Sequence, residues 1–459
     1  MSKRIVILGA GESGTGAALL AKAKGYKVFV SDAGSIASSY RDELIANQIK
    51  FEEGGHDLEK ILKADEVIKS PGIPDSVPVM QAIIQNRIPV IGELEFAWRF
   101  AKGRFILITG TNGKTTTTLL THHLLKQAGR NVGLGGNIGT SLARILLDQS
   151  YETYVLEVSN FQLEGMSEFK ADTAILLNIT PDHLDRYYNH FQSYVNAKLK
   201  ITQNMTENDR FIFFQDDDVI SKEVITRGLD VDMLRVSRER EVNNGAYFKG
   251  GQLFFKNPDG SLAFTISEDE IPLRGPHNMV NVMSAILAAW KEGLTESEIK
   301  EGLKSFVNAK HRLEPVGEIN GIKFFNDSKA TNIDSTFFAL SSFHEDIVWI
   351  AGGKDKGNDY NTLLPLVQEN VKALVCLGAD NQKLIQFFSQ YLPVEDTHNE
   401  VDAVDAALNY ANSGDVVVLS PACSSFDLYK NYEDRGDKFR KAVANKISGT
   451  HSINQEVES

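Results

Sequence analysis

Phe105-Ile106-Leu107-Ile108, then Gly110-Thr111-Asn112-Gly113-Lys114-Thr115-Thr116, then Thr117-Thr118-Leu119-Leu120-Thr121-His122-His123-Leu124-Leu125 decide how this chain is read. The first run is continuous apolar, as a buried strand is. The last carries its apolar residues at helical spacing. Strand, glycine loop, Lys-Thr and helix together make a phosphate cradle. Glycines let backbone N–H groups approach phosphate oxygens, the helix N-terminus adds its positive end, Lys114 supplies a point charge and Thr115 a hydroxyl for Mg²⁺. The loop is shorter than GxxxxGK[ST], since position 108 is Ile rather than Gly. ATP is the expected ligand, held by Gly110, Thr111, Asn112, Gly113, Lys114, Thr115 and Thr116.

Outward from this loop, the 459 residues are too many for one core and suggest roughly three domains. Residues 1–93 alternate strand, turn and helix: Arg4–Gly9, Thr15–Lys24, Tyr26–Asp32, and later Ala64–Ser70, ended by Pro71-Gly72-Ile73-Pro74. This alternation predicts a parallel sheet with helices on both faces, a Rossmann-like domain. Residues 94–305 hold the phosphate loop, with Glu152–Val158 and Ala174–Ile179 as further central strands of an ATPase-type α/β domain. Between about Asp232 and Glu268, turns at Asn-Asn-Gly, Lys-Gly-Gly and Pro-Asp-Gly predict a small antiparallel appendage. Residues 306–459 alternate again, with strands at Asp346–Ala351, Ala373–Leu377 and Asp415–Leu419, a helix at Val401–Asn412, and a polar, frayed tail from Ser448. The expected fold class is therefore α/β throughout, with two Rossmann-like domains flanking the ATP-binding one.

Composition narrows the function. A net charge of −13, from 48 Lys plus Arg against 61 Asp plus Glu, argues against nonspecific nucleic-acid binding. No apolar stretch is long enough to span a bilayer, and the N-terminus lacks the pattern of a signal peptide. Two distant cysteines, Cys376 and Cys423, imply no disulfide framework, which fits a reducing cytoplasm.

Gly9-Ala10-Gly11-Glu12-Ser13-Gly14 fits GxGxxG after a strand, with Asp32 ending the next strand. Alone it is a dinucleotide fingerprint. The physics demands only a diphosphate at a helix N-terminus and a carboxylate near a ribose or base, which UDP satisfies as well as NAD does. No hydride-transfer constellation accompanies it, so a nucleotide-sugar or a degenerate site is the better reading. Glu157, at the end of its strand beside the phosphate loop, stands where a Walker-B-type Mg²⁺ ligand belongs. In isolation a polar strand end is the preferred reading of this Glu. His183, in Asn178-Ile179-Thr180-Pro181-Asp182-His183-Leu184-Asp185, is raised above an ordinary loop histidine by its strand-end position, Pro181 and the flanking carboxylates. Lys198 and Lys200 read by pattern as a solvated lysine face.

Together these segments resemble the Mur ligases over nearly the whole chain, and the D-glutamate-adding branch most closely. The resemblance rests on Ser70-Pro71-Gly72-Ile73, the Gly110–Thr116 loop, Gly136-Asn137-Ile138-Gly139, Glu157–Leu163 and Asn178–Asp185. It continues through His277-Asn278 with Asn281, His311-Arg312, Asn326–Asn332, Gly352–Lys356 and, most specifically, Ser420–Asp427 running to Gly436. What it implies is ATP-dependent ligation of D-glutamate to UDP-N-acetylmuramoyl-L-alanine through an acyl phosphate, in a monomer using Mg²⁺, with Mn²⁺ as a substitute. By the same resemblance Thr115 and Glu157 hold one metal and His183 a second. Lys198 is expected as a CO₂-derived carbamate, with Lys200 left in solvent. Lys114, His183 and Lys198 are then the catalytic set. Glu12, Ser13, Asp32, Gly72, Asn137 and Lys329 are assigned to the UDP substrate, and Asn278, Asn281, Arg312 and Asp327 to ATP. Thr331, Lys356, Ser425, Phe426 and Tyr432 are assigned to D-glutamate. Glu12-Ser13 and Asp32-Ala33-Gly34 depart from the Leu-Thr and Asp-Thr-Arg of some relatives, and a carboxylate beside a diphosphate is unfavourable unless it turns away. The competing readings are a different Mur ligase, a folylpolyglutamate-type ligase, which lacks the N-terminal domain, a nucleotide-sugar sensor, and an NAD-linked dehydrogenase.

Overall fold

The computed structural model describes residues 2–182, 184–273 and 275–457, without the side chains of 449–457. The described residues form three sheets. In the first, β1 (Arg4–Leu8), β2 (Lys27–Ser31), β3 (Lys50–Glu52), β4 (Glu66–Lys69) and β5 (Val90–Gly92) lie in the order β3-β2-β1-β4-β5, all parallel. The order reverses between β1 and β4, so the glycine loop after β1 and Ser70 after β4 share the switch point where such sheets bind ligands.

The second sheet holds β6 (Arg104–Thr109), β7 (Val132–Gly136), β8 (Thr153–Glu157), β9 (Thr173–Leu176), β10 (Arg210–Phe214), β11 (Asp232–Ser237), β12 (Gly245–Lys249), β13 (Gln252–Lys256) and β14 (Leu262–Ser267). Their order is β14-β13-β12-β11-β10-β9-β6-β8-β7. The expected appendage is corrected here: its strands continue the central sheet. β11 pairs parallel with β10, and β12 parallel with β11; only β12-β13-β14 are antiparallel. The Asn243-Asn244-Gly245 signal is thus no hairpin. A Cβ on Gly245 would overlap the Arg235 carbonyl oxygen, so glycine is there for close approach of two backbones. Gly250-Gly251, with φ of 58° and 75°, is the real two-residue hairpin.

The third sheet orders β15 (Glu314–Ile319), β16 (Ile322–Asn326), β17 (Ile347–Ala351), β18 (Val371–Leu377), β19 (Val394–Thr397) and β20 (Val416–Leu419) as β15-β16-β20-β17-β18-β19. All pairs but the β15–β16 hairpin are parallel. The tail expected to fray from Ser448 instead continues the helix Tyr432–Val457.

By compactness the chain divides into residues 1–272 with 280–306, and residues 273–279 with 307–459. In the first unit one apolar core runs from Ile5 and Val30 through Phe96 and Ala97 to Phe105 and Leu156, so the first two sheets share it. The helix Glu93–Trp98 supplies the joint. Its Glu95 carboxylate is 1% exposed and accepts from the backbone N–H groups of Ser167, Glu168 and Phe169. In the second unit the sheet is buried on both faces, by clusters around Trp349 and around Phe324 and Phe439. No helix among the described residues is long and apolar enough to cross a membrane.

Candidate active site

The phosphate loop leaves β6, which lies between β9 and β8, and leads into the helix Lys114–Gln127. Gly113 caps that helix with φ of 84°, a left-handed conformation that glycine adopts without strain, and a Cβ there would overlap the Asn281 side chain. Asn178, beyond β9, braces the loop from one side: its Oδ1 accepts from Asn112 N at 2.8 Å and its backbone oxygen from Thr111 N at 3.0 Å. Thr111 Oγ1 accepts from Thr180 N at 3.0 Å and lies 2.9 Å from Tyr194 Oη. Lys114 Nζ donates to the carbonyls of Gly110 and Thr111, both at 2.8 Å. Its ammonium is therefore folded over the loop.

On the β8 side three predicted residues converge. Thr115 Oγ1 donates to Glu157 Oε2 at 2.7 Å, and Asn137 Nδ2 to Glu157 Oε1 at 2.7 Å. Parallel register explains the meeting: β6, β8 and β7 end side by side, and each contributes the residue or loop just past its C-terminal edge. A hydroxyl and a carboxylate converging on one point are hard oxygen donors, the set a magnesium ion takes. Among the described residues no cluster of three His, Cys, Asp or Glu could hold a metal. His183 lies outside the described residues.

Lys198 overturns the solvated-face pattern. It is 1% exposed on the helix Phe191–Leu199 and donates to the Gly110 carbonyl at 2.8 Å, with the Tyr194 ring centroid 4.7 Å away. Burial pushes its ammonium pKa well down and the nearby Lys114 charge adds to this, while Asp182 opposes. Lys200, expected in solvent, is half-buried and donates to the Glu164 carbonyl at 3.2 Å.

In the first sheet, Gly9 has φ of 87°, and a Cβ on Gly14 would overlap the Gly9 carbonyl oxygen. Helix Glu12–Ala23 can approach the end of β1 only because position 14 is glycine. Asp32 accepts from Ala10 N at 2.7 Å and from Gly34 N at 2.8 Å, which fixes the loop's entry. Gly72 is exposed at the end of β4, and its carbonyl accepts from Arg186 Nη1 at 2.8 Å. Glu12 is engaged by protein groups. Its Oε1 accepts from Ser141 N and Oγ at 3.0 and 3.1 Å, and its Oε2 from Arg144 Nε at 3.0 Å. The carboxylate that was unfavourable beside a diphosphate is thus neutralised at the start of the helix Leu142–Asp148. Sequence reasoning missed Arg144 and Ser141, which carry no motif; only an unexplained Glu in a glycine loop pointed to a cationic partner.

In the second unit β16, β20 and β17 are neighbours, so the loops after Asn326, Leu419 and Ala351 leave one edge of the sheet together. Those loops carry Thr331, Ser425 and Lys356. Lys354 N donates to the Ser424 carbonyl at 2.8 Å, and Ser424 Oγ to the Lys354 carbonyl at 3.2 Å, which pins two of the loops together. Lys356 is exposed, Thr331 half-buried and Ser425 buried, while Phe426 is 68% exposed. Lys329 Nζ lies 5.2 Å from the Tyr432 ring centroid. Asp327 is 7% exposed, accepts from Leu313 N and Ser420 Oγ, and is pushed by burial up to about 7, with Arg312 and the Ser420 bond opposing. Asn278 and Asn281 are both buried on the helix Pro276–Lys291.

Comparison with known proteins covers all three segments. Family models match residues 3–92 (Mur ligase MurD-like, N-terminal domain), 108–289 (Mur ligase middle domain) and 311–423 (Mur ligase, glutamate ligase domain). The chain is 50% identical to UDP-N-acetylmuramoylalanine--D-glutamate ligase of Cytophaga hutchinsonii, over 96% of this chain and 99% of that one. It is 48% identical to the protein of that name from Bacteroides fragilis, again over 96% and 99%. Among solved structures, UDP-N-acetylmuramate-alanine ligase of Thermotoga maritima superposes with a TM-score of 0.62 at 18% identity, over 97% of this chain and 100% of that one, which speaks for the fold alone.

Proposed function

This chain belongs to the Mur ligase family, and from that premise we propose how its own residues perform the reaction its relatives are named for. It is an ATP-dependent ligase that joins D-glutamate to UDP-N-acetylmuramoyl-L-alanine in peptidoglycan precursor synthesis. The observation that carries the residue assignments is the convergence of Lys114, Thr115, Glu157, Asn137 and Lys198 on one phosphate loop.

Two anions, a carboxylate and the γ-phosphate, must be brought together, so the site has to cancel charge before it can align atoms. Lys114 leaves the Gly110 and Thr111 carbonyls for the γ-phosphate, while the N–H groups at the start of its helix hold the other phosphates. Asn281, packed against Gly113, takes the nucleoside. Thr115 and Glu157 would hold Mg²⁺, which would supply positive charge to offset that of the phosphates. Lys198 acts as a carbamate: its amine lies buried against the phosphate loop, where burial lowers the ammonium pKa, and the product of its reaction with CO₂ is an oxygen ligand where an ammonium would repel a cation. His183 is assigned to the second metal. Ser13, Asp32 and Gly72 surround the UDP moiety, and Asn137, held by Glu157, orients the reacting end of that substrate. The substrate carboxylate oxygen attacks the γ-phosphorus and ADP leaves; the D-glutamate amine then attacks the acyl carbon and phosphate leaves.

In the second unit, Lys356, Thr331, Ser425 and Tyr432 form the amino-acid site: one cation and two hydroxyls for two acid groups, and a ring as a wall. Phe426, at the rim, is assigned with them. A cytoplasmic monomer is the setting this reading assumes.

The chemistry is tested with UDP-N-acetylmuramoyl-L-alanine labelled with ¹⁸O in its carboxylate. Attack by that carboxylate transfers one labelled oxygen to the released phosphate. Unlabelled phosphate with labelled amide product would contradict the acyl-phosphate route.

A further inference from the structure

Arg435 lies in the first turn of the helix Tyr432–Val457 and is 1% exposed. All five of its N–H groups are engaged. Nε donates to Ser328 Oγ at 2.9 Å, Nη1 to the carbonyls of Gly352 and Cys423 at 3.3 and 3.2 Å, and Nη2 to those of Ser328 and Cys423 at 2.8 and 3.2 Å. Ser328 Oγ in turn donates to the Tyr432 carbonyl at 2.8 Å. Every acceptor is neutral. A fully buried guanidinium is ordinarily matched by a carboxylate, because desolvating a lone cation is costly. Among the described residues none forms an ion pair with this one; Asp327 and Asp427 act on it only at longer range.

The three acceptor residues belong to three different loops. Ser328 precedes Thr331 in the loop after β16, Gly352 precedes Lys356 in the loop after β17, and Cys423 precedes Ser425 in the loop after β20. These are the loops assigned above to D-glutamate, and the one guanidinium bonds all three. A planar fork with five fixed donors can hold three strands' worth of loop in one arrangement, which an ammonium with three donors cannot. The charge left unmatched is of the sign that a ligand with two carboxylates requires.

We infer that Arg435 is a positioning residue for amino-acid selection: it sets the three pocket loops in register and leaves an unpaired positive charge behind them for a dicarboxylate. This rests on the reading of the pocket given above.

The test measures KM for each substrate, kcat and Tm in the Arg435→Lys and Ser328→Ala variants, with Lys356→Ala alongside. Arg435→Lys keeps the charge and loses the fork; it is expected to raise KM for D-glutamate at least about tenfold, leaving KM for ATP and for the UDP substrate within about twofold. Ser328→Ala removes one acceptor and should raise KM for D-glutamate about threefold. Arg435→Gln removes the charge as well and should exceed the Lys variant; where it does not fold, the other two carry the test. An equal rise in all three KM values, or a lower Tm and kcat with every KM unchanged, would reduce Arg435 to a fold-stabilising tie and overturn the inference. If Lys356→Ala raises KM for D-glutamate while Arg435→Lys does not, the inference fails and the pocket reading stands. If neither moves it, both fail.

Discussion

A lysine ammonium buried among carbonyls and one ring, with a second ammonium close by, is costly to keep charged. Lys198 is in that position, and burial with the Lys114 charge pushes its pKa down, Asp182 opposing. The carbamate proposed for Lys198 would turn that nitrogen into the bearer of an anionic oxygen ligand. Lys198→Ala should be nearly inactive and partly restored by a short-chain carboxylic acid that fills the vacated space. Lys200→Ala should retain activity within about threefold, since its one bond is to the Glu164 carbonyl. Equal behaviour of the two variants would remove the carbamate assignment; a ¹³C carbamate signal from ¹³CO₂ in the wild type, absent in Lys198→Ala, checks it without turnover. Lys114→Ala should lose phosphate release by several orders of magnitude while binding the UDP substrate nearly normally. Near-normal turnover would contradict the role given to the loop. At this scale the sequence was most legible where backbone geometry dictates residue type, as at Gly113 and Gly14. It was least legible at Lys198, because a helical Lys-x-Lys pair carries no sign of which lysine faces inward.

The helix Leu142–Asp148 shows what elements contribute. Its N-terminus receives two carboxylates: Glu12 on Ser141, and Glu93, whose Oε1 accepts from Ala143 N at 2.6 Å. Both favour the positive end of the helix dipole. Glu93 is 4% exposed, and burial, with the Glu12 charge adding to it, pushes its pKa up to about 7 from an ordinary 4.5, the Ala143 bond opposing. In the unfolded chain that group has lost its proton well below pH 7. Between about pH 4.5 and 7 the folded state therefore binds the extra proton, and stability falls as pH rises through that window. Glu93→Gln, which keeps an acceptor for Ala143 N, should gain Tm relative to the wild type as pH goes from 5 to 8. A constant difference in Tm across that range would show that Glu93 does not titrate there. Strand positions were read to within about three residues from apolar runs alone. The linking of the Asp232–Glu268 strands to the central sheet was not. Turn dipeptides report local chain reversal, whereas pairing β11 with β10 is a long-range choice made by the unsatisfied edge of β10.

The molecule as a whole carries a net charge of −13 and handles substrates that are all anions. Attraction must be local, and the cations named here, Lys114, Lys356 and Arg435, each sit at the C-terminal edge of a parallel sheet or directly behind it. That placement follows from topology: the loops that carry or bond these groups leave the C-terminal ends of parallel strands that are neighbours in their sheets. The three-domain α/β class could be read from alternation of strands and helices, but the shared core of the first two sheets could not, since Phe96 and Ala97 look like any apolar helix face. The central claim concerns the amino acid joined. Phosphate release is measured with ATP, Mg²⁺ and UDP-N-acetylmuramoyl-L-alanine against a panel of D- and L-amino acids. The account predicts release that depends on D-glutamate, with L-glutamate, D-alanine and L-alanine at background; comparable release with another amino acid, or none with D-glutamate, would contradict it.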